Sequence, residues 1–435
     1  MEIAIMIGQL ILGLSILVGL HEWGHLITAK MFGMRVEKFF IGFPPKIWSM
    51  QRGETEYGVG AVPLGGFVKI SGMVDESLDT KNLSATPEPW EFRAKPAWQR
   101  LIVMLGGIIV NVITGVAIFV AITFYQGHDY IAAKDVKYGI VAHKLAQEIG
   151  LKTGDKIVAI NGKPFEDFAD IRKVFLESNS YYTVERGSEK VDVYVPNDFI
   201  EKVSDKKNAK EFIDPIFPFE VAELVPAMPA AKAGLKPGDK IVKLNDTPIQ
   251  FYHEIQESLA KVKGQKATLT IERGGSTLSL PVDVTPEGTI GFYPKQDLKV
   301  THIDYSFGES VVVGSEKAFS VVTDNIRGFG KIFRGEVSAS KALSGPIGIA
   351  QMFGGIWDWG RFWFLTGLLS MVLAFMNILP IPALDGGHAV LLIYEIVTGH
   401  KPSDKFLEGA QKVGMVILLG LMVFAFGNDI FKLFR

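Results

Sequence analysis

Cysteine is absent from the chain. That excludes disulfides and thiolate metal ligands together, so any zinc must be held by histidine and carboxylate. Such a donor set suits a catalytic site with an open position better than a closed structural one. Net charge is also nearly absent: 45 Lys and Arg against 47 Asp and Glu leave −2, which argues against nucleic acid as the main partner. The N-terminus lacks the basic stretch and the small-residue cleavage site of a signal peptide, since Glu2 is the only early charge. What is abundant is apolar. Hydrophobic residues make up 48% of 435 positions, 30 of them Phe, which points to several domains and a polytopic membrane protein.

The first apolar run, Ile3 to Leu20, closes on His21-Glu22-Trp23-Gly24-His25. Two histidines four apart on a helix share a face, so both imidazoles reach one metal ion, and the Glu between them is placed as a general base toward water. Charged and imidazole groups at membrane depth are costly unless they face a protein interior or an aqueous cavity. Lys30, Arg35 and Lys38 follow the run, so the positive-inside bias puts the N-terminus outside and the motif toward the cytoplasm. At about 1.5 Å per residue His21 lies roughly 27 Å below Ile3, near the inner edge of the hydrocarbon core.

Residues 34–97 contain two apolar, Gly-rich stretches, Phe39 to Pro45 and Glu56 to Ile70, which read as short strands. Either they dip toward the metal motif as a shielded sheet or they form a small cytoplasmic hairpin. Asp75 to Pro96 reads as a loop. A second span, Leu101 to Tyr125, carries Gly106, Gly107, Asn111 and Gly115. The small residues allow close helix packing, and Asn111 needs a polar partner, either at the metal site or on another helix backbone.

An internal repeat follows. Gly150-Leu151-Lys152-Thr153-Gly154-Asp155 to Phe165 recurs 84 residues later as Gly234-Leu235-Lys236-Pro237-Gly238-Asp239 to Ile249, with ten of sixteen positions identical. Each copy reads as a helix end, a Gly turn, a strand and an Asn-Gly or Asn-Asp turn. Ser306 to Phe333 has helical apolar spacing and reads as an amphipathic helix that lies on the outer leaflet or packs against a neighbouring domain. A third span, Phe362 to Leu379, ends in Asn377-Ile378-Leu379-Pro380-Ile381-Pro382-Ala383-Leu384-Asp385-Gly386-Gly387-His388, and a fourth runs from Val413 to Phe426. Counting spans puts Asp385 at the depth of His21 and His25. It follows two helix-breaking prolines and is the candidate third ligand. A helix N-cap is its alternative role. His128, His143, His253, His302 and His400 show no ligand spacing and read as surface or structural residues.

The repeat signature resembles that of PDZ domains. HExxH at the end of a first span, with N-x-x-P-x-P-x-L-D-G on a later one, resembles the site-2 protease family of intramembrane zinc metalloproteases, and two tandem PDZ-like copies narrow the match to its RseP-type members. The resemblance implies a polytopic α-helical membrane protein of four spans, with a membrane-re-entrant β element and two tandem periplasmic α+β PDZ domains. The expected divisions are 1–33, 34–97, 98–126, 127–215, 216–304, 305–357, 358–390 and 391–435. It implies Zn2+ held by His21, His25 and Asp385, with Glu22 as general base. It also implies substrate contacts from Asn377, Pro380 and Pro382 and from Gly42, Phe43, Gly65, Gly66 and Phe67 of the β element, with Asn111 beside the site. The expected partners are single-span membrane proteins, such as a pre-trimmed anti-sigma factor and remnant signal peptides, and the bilayer of a bacterial inner membrane. The PDZ grooves would take peptide or act as a size filter, and the sequence does not choose. Where many members carry a proline in the second span, this chain has Ile108, which leaves open any bend there.

Overall fold

The opening apolar run continues without a break through the HEWGH motif into α1 (Glu2–Met31), as helical ligand spacing requires. The structure, a computed structural model, describes residues 1–73, 86–204 and 211–433. It divides into two units: residues 1–127, 304–330 and 338–435 form the first, and residues 128–303 and 331–337 the second.

In the first unit, α1 is followed by β1 (Val36–Arg52) and β2 (Thr55–Ile70). Each strand is bent into two segments. Lys38 to Ile41 lies beside Gly66 to Lys69 on one side and beside Glu56 to Val59 on the other, while Trp48 to Arg52 pairs with Thr55 to Val59. The segment order is therefore 46–52, 55–60, 36–41, 66–70. In the central pairing the residue numbers rise together (Lys38 with Glu56, Ile41 with Val59), so those two segments run the same way. Gly42, at φ +91°, supplies the bend that a side chain would resist. The free edges are 46–52 and 66–70, and the second lies against α1: a Cβ on Gly66 would touch Val18 and Glu22. Of the loop expected from Asp75 to Pro96, residues up to 85 lie outside the described residues; the remainder carries one 3-10 turn, Phe92–Ala94. The helix α2 (Ala97–Gln126) then runs unbroken past Ile108. It crosses α1 where Gly24 meets the backbone of Gly106 and Gly107, a closeness only small residues permit.

In the second unit β3 (His128–Ile131) precedes two segments of similar element order, which differ by a short helix in the first and a two-residue strand in the second. The first is β4 (Ile140–Ala142), α3 (Lys144–Glu148), β5 (Lys156–Ile160), a 3-10 helix (Phe168–Leu176), β6 (Tyr181–Arg186), β7 (Glu189–Tyr194), α4 (Phe199–Val203) and β8 (Ile213–Pro215). The second is β9 (Phe219–Leu224), α5 (Pro229–Lys232), β10 (Lys240–Leu244), β11 (Thr247–Pro248), α6 (Tyr252–Lys261), β12 (Lys266–Arg273), β13 (Ser276–Asp283) and β14 (Phe292–Gln296). β15 (Val300–Ile303) returns to pair with β3. Each segment has its own apolar core, centred on Tyr182, Val184 and Phe199 in one and on Leu244, Ile255, Leu269 and Ile271 in the other. The repeated aspartates do the same work in both. Asp155 and Asp239 are buried, accept the N–H of Lys152 and Lys236, and pair with Arg186 and Arg273.

Within the first unit α7 (Phe307–Phe333) opens with a Ser306–Glu309 capping exchange. Within the first unit its contacts are with α2 and with Met371. Gly314 abuts Val120 of α2, and Ala318 packs with Phe119 and Met371. Its last turn, from Lys331, belongs to the second unit, within which the Lys331 ammonium donates to the carbonyls of Phe175 and Asn197 at 2.7 and 3.1 Å. After α7 come α8 (Ala339–Ala342), α9 (Pro346–Phe353), α10 (Trp359–Ile378), α11 (Asp385–Thr398) and α12 (Asp404–Leu433). Small residues again set the packing: Gly115 faces Met371, Gly367 faces Ile118 and Phe119, and Gly414 faces Pro382. Among the described residues, four helices are long and apolar enough to cross a membrane: Glu2–Met31, Ala97–Gln126, Trp359–Ile378 and Lys405–Lys432.

Candidate metal centre

His21 and His25 leave α1 on one face, toward α2 and the start of α11. α10 ends at Ile378, and the link Leu379 to Leu384 turns back through Ala383 at φ +75° to start α11 at Asp385. Leu384 is the N-cap, so the carboxylate of Asp385 is not spent on capping. Gly386 and Gly387 are required by this turn, because a Cβ on either would collide with the carbonyls of Ile378, Leu379 or Ile381.

The result is a triangle of ligand atoms. The two Nε2 atoms are 3.2 Å apart, and Asp385 Oδ2 is 3.2 Å from that of His21 and 3.4 Å from that of His25. Donors about 2.0–2.1 Å from a tetrahedral zinc stand roughly 3.3–3.4 Å from one another, so the spacing fits that ion. Asp385 Oδ2 is buried and makes no hydrogen bond, as expected of an atom reserved for a cation. His25 Nδ1 lies 2.8 Å from the carbonyl of Val103. That carbonyl fixes the proton on Nδ1 and leaves the Nε2 lone pair for a metal. Among the described residues, His21, His25 and Asp385 are the one such cluster, three candidate ligands where a closed structural site would have four.

Glu22, on the adjoining face of α1, lies near both histidines and Asp385 and packs against the edge segment of β2 at Gly66. Asn111 Nδ2 lies 3.2 Å from His21 Nδ1, and Asn377 Nδ2 lies 3.4 Å from His21 Nε2. The site therefore brings together His21, Glu22, His25, Asp385, Asn111, Asn377 and Gly66. Gly42, Phe43, Gly65 and Phe67 are placed otherwise: Gly65 lies against the ring of Phe43, Gly42 against Gly60, and Phe67 stacks on Phe40. Pro380 and Pro382 shape the link into α11, and Pro382 is covered by Gly414 of α12. Two participants are not assigned to the site by the sequence, which marks Gly107 only as a small packing residue. Gly107, one turn before Asn111, leaves room for both imidazoles, and the glycine four before an asparagine was the available signal. The Val103 carbonyl is backbone and leaves no mark in sequence. Of the other histidines, His128, His143 and His302 pair with Asp167, Asp214 and Asp129.

The chain is 29% identical to the regulator of sigma E protease of Haemophilus influenzae, over 98% of this chain and 99% of that one. It is 28% identical to the regulator of sigma-E protease RseP of Escherichia coli K12, over 98% of each. A Neisseria meningitidis serogroup A protein, named as a candidate zinc metalloprotease, is 29% identical over 97% of this chain and 98% of that one. The family model for peptidase family M50 matches residues 9–421, nearly the full length. This chain therefore belongs to peptidase family M50, the site-2 protease family, and is a zinc metalloprotease.

Proposed function

We propose that this chain is an intramembrane protease of a bacterial inner membrane that cuts the membrane-spanning segment of single-span proteins, with His21, His25 and Asp385 holding zinc and Glu22 as general base. One observation carries the reading: His21 and His25, on a helix long and apolar enough to span a bilayer, meet Asp385 in an open three-residue cluster. Zinc bound there would lower the pKa of water toward neutrality and polarise the scissile carbonyl. Glu22 takes the proton of the attacking water and passes it to the leaving amine. Asn377, beside His21 Nε2, is placed to hydrogen-bond the substrate backbone.

A helical substrate hides its carbonyls, so it must unwind first, at a cost of several kcal/mol for each backbone group left unpaired in lipid. The 66–70 edge of β2 offers main-chain partners beside Glu22, and an added strand there offsets that cost. This edge is the re-entrant element of the proposal. The two repeated segments of the second unit are read as periplasmic PDZ domains, because the positive-inside bias places Lys30, Arg35 and Lys38 on the cytoplasmic side with the metal centre. By likeness to the sigma-E regulators, the substrates are a pre-trimmed anti-sigma factor and remnant signal peptides.

The test is cleavage of a single-span reporter by the purified protein in detergent or liposomes, with product masses read by mass spectrometry. Glu22→Gln should retain zinc and lose cleavage; a Glu22→Gln protein that still cuts ends the mechanism. Asp385→Asn should lose zinc as well, and unchanged zinc content by atomic absorption removes Asp385 from the ligand set.

A further inference from the structure

The three ligands are not held alike. His25 has a backbone carbonyl on Nδ1, and Asp385 is set by the first turn of α11. His21 has Asn111. The side chain of Asn111 is fully buried in α2, and its backbone carbonyl accepts the hydroxyl of Ser370 at 2.7 Å, which ties α2 to α10 at this level. Its amide nitrogen stands 3.2 Å from His21 Nδ1, while its amide oxygen is buried without any partner.

With Nε2 turned to the other two ligands, a neutral His21 carries its proton on Nδ1. Nδ1–H and an amide N–H are both donors and cannot bond to each other. The two ends of an asparagine amide have the same shape, so a half-turn of the amide puts the oxygen opposite Nδ1–H. That single change gives the imidazole an acceptor and gives the orphaned oxygen a donor.

We infer that Asn111 is a positioning residue for the metal centre: its amide oxygen accepts the His21 Nδ1–H, fixes the ring's tautomer and rotation, and so presents Nε2 to the metal. The inference rests on the metal reading of His21, His25 and Asp385. It assigns the polar group of the second span to one ligand rather than to general helix packing. Loss of such an outer partner weakens metal affinity by about ten- to a hundredfold.

The experiment measures zinc affinity of the full-length protein in detergent by competition with a chromophoric chelator, alongside the visible spectrum of the Co2+-substituted protein. Asn111→Leu, similar in size but without an acceptor, should bind zinc about ten- to a hundredfold more weakly and change the Co2+ bands. Asn111→Asp keeps the acceptor and loses the donor, so it should hold wild-type affinity or bind more tightly. Leu at wild-type affinity overturns the inference, and so does Asp as weak as Leu, which would mean that the amide donates. Should the Leu protein fail to fold, the Asp protein decides alone by the same criterion. Wild-type protein that binds no zinc overturns the metal reading, and this inference with it; wild type that binds zinc beside an unchanged Leu variant overturns only the role of Asn111.

Discussion

Gly107 and His21 make the sharpest case at the scale of single residues. A Cβ built on Gly107 would lie 2.5 Å from both His21 Cε1 and His25 Nε2, inside any real contact distance. In an ordinary helix alanine is preferred to glycine by about 0.5–1 kcal/mol. Here the preference is outweighed, because the methyl takes the space of the metal-binding face. Gly107→Ala should therefore lose zinc and proteolysis together, while Gly420→Ala, where no atom lies within 4 Å, should keep both. Zinc content of the two purified proteins checks this. A Gly107→Ala protein with full zinc would mean that α1 and α2 can separate without harm to the site. The candidate ligands were legible in sequence because histidines four apart on a helix share a face, and the structure sets Asp385 beside them. What supports them was not legible, since Val103 contributes only a carbonyl and Gly107 contributes only the lack of a side chain.

Among the elements, α11 carries Asp385, the third candidate ligand, and a charge pair fixes where that helix lies. Arg100 at the start of α2 reaches Glu395 at 2.5 Å, both largely buried, and also donates to the carbonyl of Lys95 at 2.9 Å. Glu395 is ten residues along α11 from Asp385, about 15 Å at the helical rise. The pair thus pins the far end of the helix whose first residue faces the histidines. Removing one partner leaves the other buried and unpaired, at a cost of about 3–5 kcal/mol. Arg100→Met and Glu395→Gln should each lower the melting temperature of the zinc-loaded protein, and the exchange Arg100→Glu with Glu395→Arg should recover part of the loss. An exchange no better than either single variant would show that the two residues act separately. The prolines after Asn377 announced the helix break, but the return of the chain through Ala383 onto Gly386 and Gly387 was beyond them. The β1–β2 element shows the same limit. Apolar and Gly-rich composition identified extended chain, yet nothing in it says that a strand will bend at Gly42 and run beside two partners. That arrangement is set by Gly–Gly backbone contacts such as Gly42 with Gly60.

At the scale of the whole molecule, the four apolar helices and the repeat were the easiest features to read, because length and self-similarity survive without knowledge of packing. The fixed 84-residue offset exposed Asp155 and Asp239 but hid their partners: Arg186 lies 31 residues after its aspartate and Arg273 lies 34 after its own. Insertions between the strands have shifted one arginine against the other, while the three-dimensional pairing is kept. The pair gives the second unit an acid-dependent stability. Burial alone would raise the Asp239 carboxyl, but the Arg273 guanidinium and the Lys236 N–H outweigh it and hold the group below its ordinary value. A carboxyl with a folded-state pKa below that of the unfolded chain binds protons more readily when unfolded. Its contribution is therefore complete above the unfolded value, near 3.8, and is lost as pH falls through the folded one. Asp239→Asn should remove that contribution at neutral pH. Amide hydrogen exchange of β10 and β12 in the full-length protein should show faster opening of the variant at pH 7 and a smaller gap from wild type at pH 3. A gap that stays constant from pH 7 to pH 3 would assign the role of Asp239 to the Lys236 turn alone, because a neutral side chain can still accept that backbone N–H.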